Sequence, residues 1–188
     1  MEHTMKKKPN LLWIIGLSLT GLCLLGCLAA AALTLFSPAL YRYYLANSSL
    51  AIGNPAPDFE LPALGGETLR LSQFNGQPVL LSLGATWCPD CRAEAPVLQE
   101  LHQTHPELVI LMVDSKESPL VVQQFADEFG ITHPILLDRD GAVQELYQVF
   151  AIPTVLFIDA EGVIRAKVIE GVTPQLLEEK LSLIGIAP

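Results

Sequence analysis

The sequence predicts an α/β fold, a central mixed β-sheet flanked by helices, with a β-hairpin at its N-terminal edge and one transmembrane helix ahead of it. Three observations predict it. Continuous apolar runs of strand length, Pro78–Gly84 (PVLLSLG) and Leu108–Val113, read as strands buried on both faces. Segments with helical apolar spacing alternate with them, as expected of strand–helix–strand units. Ahead of both lies a 26-residue stretch, Leu11–Phe36, without a charged residue.

That stretch would extend roughly 39 Å as a helix, more than the roughly 30 Å of a hydrocarbon core, so it can span with some tilt. Lys6, Lys7 and Lys8 precede it and no comparable basic cluster follows, which keeps the N-terminus cytoplasmic and exports the rest. Tyr41, Tyr43 and Tyr44 beside Arg42 suit the outer interface. The expected organisation is a basic N-terminus (1–10), an anchor (11–36), a juxtamembrane segment and linker (37–57), and one domain (58–188). A lipoprotein signal is the competing reading, with Cys27 of Leu24-Leu25-Gly26-Cys27 as the lipidated residue. Leu25 is bulky for its position in such a signal, and the chain stays apolar after Cys27. Either way the domain is tethered at the membrane, outside the cytoplasm.

Charge narrows the function. The chain carries 11 basic and 20 acidic residues, a net charge of −9. Lys6, Lys7, Lys8, Arg42 and Glu2 precede residue 46, leaving 7 basic against 19 acidic residues, a formal −12. A body so acidic repels phosphate backbones, which excludes nucleic acid as a partner.

Within the body, Asp58–Leu64 and Glu67–Leu71 around Gly65-Gly66 predict the hairpin. Pro89 to about Thr104 reads as a helix, with Ala93, Val97, Leu98 and Leu101 at helical spacing. Pro119–Phe129 reads as a second helix ended by Gly130. Pro134–Leu137 is a short strand and Ala142–Tyr147 a short helix. Thr154–Ile158 and Val163–Ile169 form an antiparallel pair around Glu161-Gly162, and Pro174–Leu183 closes the chain as an amphipathic helix.

The body holds two cysteines, Cys88 and Cys91. A disulfide between them closes a ring too small to restrain much of the unfolded chain, so a reversible redox centre is the better use of the pair. It follows a buried strand and opens a helix, where free N–H groups and the helix dipole stabilise a thiolate. Pro89 suits the first helical position. Cys88 is therefore the expected nucleophile and Cys91 the resolving thiol. A zinc site needs about four ligands, and no second cysteine pair is present, so no metal and no cofactor beyond the Cys88–Cys91 disulfide is expected. His102 and His105 share a helix but stand over ten residues from Cys88. Asp90 disfavours a neighbouring thiolate and the helix terminus favours it, which leaves the direction of electron flow open.

Trp87-Cys88-Pro89-Asp90-Cys91 with Arg92-Ala93-Glu94-Ala95-Pro96 resembles the thioredoxin superfamily, and more narrowly its TlpA/ResA-like membrane-anchored thiol–disulfide oxidoreductases. The resemblance runs from about Gly53 to the C-terminus. It includes the opening segment Gly53–Phe59, the Ala85-Thr86-Trp87-Cys88 turn and the Ile152-Pro153-Thr154 tripeptide. It implies a thioredoxin-like fold, a cis Pro153 against the cysteine pair, and Ile152 backbone groups that bind substrate peptide. The buried Asp of thioredoxins is replaced by Ser82. The resemblance instead implies Glu94 as a proton relay to Cys91, where the residues alone suggest a solvated helix glutamate. Trp87 would shield the pair and shape its surface. The implied partners are protein thiols and disulfides, among them those of apocytochromes c, and a membrane thiol reductase as electron donor. Two alternatives stay open: a non-catalytic metal or haem chaperone, and a peroxiredoxin. The latter needs Pro and Thr where Leu81 and Ala85 stand.

Overall fold

A computed structural model describes residues 50–169 and 171–187. The expected anchor and Cys27 lie outside them. Among the described residues, no helix is long and apolar enough to cross a membrane.

The chain runs β1 (Glu60–Pro62), β2 (Thr68–Arg70), a 3₁₀ turn (Leu71–Phe74), β3 (Val79–Gly84), α1 (Pro89–Thr104), β4 (Val109–Ser115), α2 (Pro119–Phe129), β5 (Ile135–Asp138), α3 (Ala142–Leu146), β6 (Thr154–Ile158), β7 (Ile164–Ile169) and α4 (Pro174–Ser182). A five-stranded sheet has the order β5-β4-β3-β6-β7. β3 pairs parallel with β4 and antiparallel with β6, so it is the central strand, and all six of its residues are buried. The predicted mixed sheet and N-terminal hairpin are both present.

Alternation along β3 sorts the two faces. Leu80 packs with Leu98 and Leu101 of α1 and Leu177 and Leu181 of α4. Leu81 and Leu83 point the other way, into a cluster with Phe59, Leu71, Val143 and Tyr147. Val122 and Phe125 of α2 cover Met112 and Leu137 on the α1 side. Fully burying each such Leu or Phe stabilises the fold by about 1.5–3 kcal/mol, well beyond what a solvent-screened pair such as Arg70–Glu60 contributes.

Two sequence expectations need correction. Residues 50–57 are not a free linker: Gly53 N–H donates to the Ile164 carbonyl at 2.8 Å, Ile164 N–H to the Asn54 carbonyl at 2.9 Å, and Pro55 bridges Val163. The Tyr147 hydroxyl also donates to the Pro57 carbonyl at 2.6 Å. Turn-rich residues there serve to bend the chain along the β7 edge. The second correction concerns α1. Ala93 is exposed, and the buried face runs through Cys91, Glu94, Ala95, Leu98, Gln99 and Leu101. A glutamate occupies a core position that an apolar pattern cannot announce.

His133 is another polar residue in the core. Its Nδ1–H faces the Pro134 carbonyl at 3.4 Å, its Nε2 has no partner, and His102 meets it edge-on at 5.8 Å. Burial pushes its pKa from 6.5 down to about 4, with the His102 charge adding to the effect and the Pro134 carbonyl opposing it. The unfolded chain therefore binds the proton more readily. The stability owed to a neutral His133 is complete above pH 6.5 and lost as pH falls toward 4. A shift of that size corresponds to about 3 kcal/mol. Urea unfolding of His133→Gln should show a smaller loss of stability over that interval than the wild type does.

Candidate active site

The carboxyl end of β3 leads through Ala85-Thr86-Trp87 into Cys88, the N-cap of α1. The Cys88 sulfur accepts the Cys91 backbone N–H at 3.3 Å, as a serine or aspartate oxygen does at other helix starts. Pro89 takes the first helical position, where its missing N–H leaves nothing unpaired. Local sequence thus fixes the helix start, and the helix start fixes the thiol.

Both cysteines are free thiols, Cys88 4% and Cys91 2% exposed. The Cys88 S–H points at the Ile152 carbonyl, 3.6 Å away. The Ile152–Pro153 peptide is cis, as the resemblance implies. Trp87, 68% exposed, flanks the pair on the surface, and Phe150, 95% exposed, stands near it. Together with Ser115, Lys116, Gln144 and Ile152 they line a cleft beside Cys88. Phe150 had no distinguishing signal in the sequence, since it sits in an irregular loop.

Cys91 lies against Gly84: a Cβ built on that glycine would come within 2.9 Å of the Cys91 sulfur. The last residue of β3 therefore has no side chain because the second thiol fills that space. Gly84 was missed in the sequence, although a glycine closing a buried strand four residues before the motif was a usable signal.

Glu94 stands one turn after Cys91 and is 4% exposed. The Ser82 hydroxyl donates to its Oε1 at 2.6 Å, while Oε2 makes no hydrogen bond. Ser82 thus supports the helix carboxylate from the sheet. Burial raises the Glu94 pKa from 4.5 to about 7, with the Asp90 charge adding to it. Ser82 and the Val172 backbone pull the other way and do not win. Gly171 closes the site with φ +87°, a conformation glycine adopts at little cost. Its missing Cβ would lie 3.8–3.9 Å from Pro153, Asp90 and Glu94 Oε2.

The Cys91 thiol is held far above its ordinary value, first by burial, then by its hydrogen bond to Cys88, with the Cys88 and Glu94 charges behind them. The Ala85 backbone acts against these. The geometry therefore gathers two thiols, one carboxyl group that titrates near neutrality and an accessible backbone edge. It does not gather His102 or His105, which engage His133 and Glu107 instead. No group of three or more His, Cys, Asp or Glu side chains fit to hold a metal occurs among the described residues.

Comparison with known proteins agrees with this geometry. The AhpC/TSA family pattern matches residues 52–167. The thiol-disulfide oxidoreductase ResA of Geobacillus kaustophilus is 34% identical over 163 residues, 86% of this chain and 91% of that one. ResA of Bacillus subtilis is 31% identical over 183 residues, 96% of either chain. Among solved structures, the thioredoxin domain of a thiol-disulfide oxidoreductase from Bacteroides vulgatus superposes with a TM-score of 0.66 at 25% identity, covering 73% of this chain and all of that one. StoA of Bacillus subtilis does so at 0.58 and 28% identity, over 68% of this chain and 97% of that one. The chain belongs to the AhpC/TSA family, and within it to the ResA-type thiol–disulfide oxidoreductases of thioredoxin-like fold.

Proposed function

We propose that this protein-disulfide oxidoreductase is held at the outer face of the cell membrane and reduces disulfides of exported proteins, using Glu94 as the proton relay of Cys91. The observation that carries the proposal is the buried Glu94 carboxyl group, one turn from the resolving thiol and titrating near neutrality.

The Cys88 thiolate attacks a substrate disulfide, a mixed disulfide forms and one substrate thiolate leaves. Two of the influences that hold Cys91 protonated, its hydrogen bond to Cys88 and the Cys88 charge, vanish once that sulfur is bonded to substrate. Glu94 then takes the Cys91 proton, the Cys91 thiolate attacks the Cys88 sulfur, and the second substrate sulfur departs with a proton returned from Glu94. Two electrons pass from the Cys88–Cys91 dithiol to the substrate. Trp87, Phe150 and the Ile152 carbonyl form the surface on which an extended substrate segment lies. The uncharged Leu11–Phe36 run behind Lys6-Lys7-Lys8 supports the location. The ResA likeness makes haem-binding cysteines of apocytochromes c the first substrates to try and a membrane thiol reductase the natural donor. A metal or haem chaperone has less support, because His102 and His105 are engaged away from the thiols. So has peroxide reduction, because Leu81 and Ala85 are packed in the core where Pro and Thr would stand.

Cys91→Ser should accumulate mixed disulfides between Cys88 and exported proteins, resolved on non-reducing gels. Their absence while the Cys88 thiol remains alkylatable would sink the reading. Glu94→Gln should slow disulfide reduction by about 10²-fold or more, the lower range of general acid–base effects, and flatten the wild-type inflection near pH 7. The same variant should be more stable than the wild type above pH 7. A carboxyl group whose folded pKa is raised from 4.5 to about 7 loses stability as pH rises across that interval, by about 3 kcal/mol for a shift of this size, and Gln does not. Slower chemistry in a sturdier protein is the signature of a functional carboxylate.

A further inference from the structure

The cleft beside Cys88 contains a cation that the dithiol steps do not use. Trp87, Ser115, Lys116, Gln144, Phe150 and Ile152 line it, and Lys116 is the one charged side chain among its lining residues. Cys88 adjoins the cleft through Trp87, its chain neighbour, and through Ile152, whose carbonyl its S–H faces at 3.6 Å. Lys116 is anchored at both ends. It follows the last residue of β4 with φ +64°, a left-handed conformation that ends the strand, and its backbone N–H donates to the Asp138 carbonyl at 3.0 Å. Its stem lies against Gly141, which is buried and has φ +80°. A Cβ built on that glycine would collide with the Lys116 Cε and come within 2.9 Å of Nζ. The side chain that Gly141 lacks thus leaves a bed for the lysine.

From residue 46 on, the chain has 7 basic against 19 acidic residues. Arg70, Arg92, Arg165 and Lys180 each pair with a carboxylate. No carboxylate among the described residues pairs with the Lys116 ammonium, despite that surplus of acids. Asp90, the acid nearest Cys88 in the chain, lies toward Gly171, its Cβ 3.9 Å from where a Gly171 Cβ would stand. Glu145 borders only the neighbouring hollow that shares Lys116 and Phe150. A positioned lysine without an anion, beside the attacking thiol, offers its charge to whatever occupies the cleft. We propose that Lys116 is a specificity-determining residue: the preferred substrate is a disulfide-bearing protein segment with an acidic side chain near its attacked cysteine, on the side that lies in the cleft. The carboxylate pairs with Lys116 while apolar groups of the segment rest on Trp87 and Phe150, 68% and 95% exposed. Such rings supply contact area, and the charge selects among segments. The body as a whole repels acidic segments, so an attraction confined to the cleft fixes where and in which direction they lie.

This specificity rests on Cys88 as the attacking thiol, and one experiment tells the two apart. Prereduced full-length protein is mixed with peptides whose single cysteine is disulfide-bonded to mercaptoethanol. Each peptide carries one glutamate, or glutamine in its place, moved stepwise along either side of the cysteine. On one side, glutamate should react about fivefold faster than glutamine at low peptide concentration, the upper end for an ion pair open to solvent. The rate at saturating peptide should be unchanged, since the pair acts on binding, and the preference should shrink as salt is raised. Lys116→Gln should abolish the preference, Lys116→Glu should reverse it and Lys116→Arg should keep it. Because the preference is a ratio within one protein, partial loss of folded protein cancels from it. Rates indifferent to glutamate at every position, or a preference that survives in Lys116→Gln, would overturn the proposal and leave the dithiol reading intact. Failure to reduce any peptide of the series would overturn both.

Discussion

The site depends on the close contact between the end of a buried strand and the start of a helix. Gly84 closes β3 without a side chain, and the Cys91 sulfur occupies the space a Cβ would need. That contact allows α1 to approach the sheet, buries the resolving thiol and places Glu94 opposite Ser82. It also leaves Cys88 at the helix N-cap with its sulfur between the Cys91 amide and the Ile152 carbonyl. An N-cap sulfur receives backbone N–H donation and the positive end of the helix dipole without any charged neighbour being required. Geometry thus sets the chemistry before any titratable side chain is considered.

Burial then divides the proton-carrying groups. It holds the Cys91 thiol protonated, raises Glu94 to about 7 and leaves one Glu94 oxygen without a hydrogen bond. A thiol that resists ionisation and a carboxyl group balanced at neutrality make a pair in which a proton can move either way. The cost of burying Glu94 is only partly offset by the Ser82 hydroxyl. An expense of that kind is retained where the group has work to do.

Much of this was legible in the sequence, for identifiable reasons. Runs such as Pro78–Gly84 are apolar throughout because β3 is covered on both faces, and Pro119 and Gly130 bracket α2 because each sits where its backbone is favoured. The Cys88–Cys91 pair was visible because a bridge across so short a spacing restrains little of the unfolded chain and suits a reversible redox centre better than a structural one. Residues that act through space were less visible. Ala93 fits the helical period yet is exposed, because Glu94 takes a core position. The segment at 50–57 reads as a linker by composition, but its backbone completes the β7 edge. Glu117 carries no signal in the sequence, yet its carboxylate accepts both the Thr86 backbone N–H and the Thr86 hydroxyl, two residues before Cys88.

The direction of electron flow tests the reductant assignment most directly. A dithiol is a strong oxidant in its disulfide form when its thiolate is heavily stabilised, and here Cys91 is held as a thiol instead. The reduction potential of the Cys88–Cys91 couple, measured at pH 7 in the full-length protein against a glutathione or dithiothreitol buffer, decides the matter. A value near about −270 mV, in the range of thioredoxin, is expected, whereas one near about −120 mV would make the pair an oxidant and contradict the assignment.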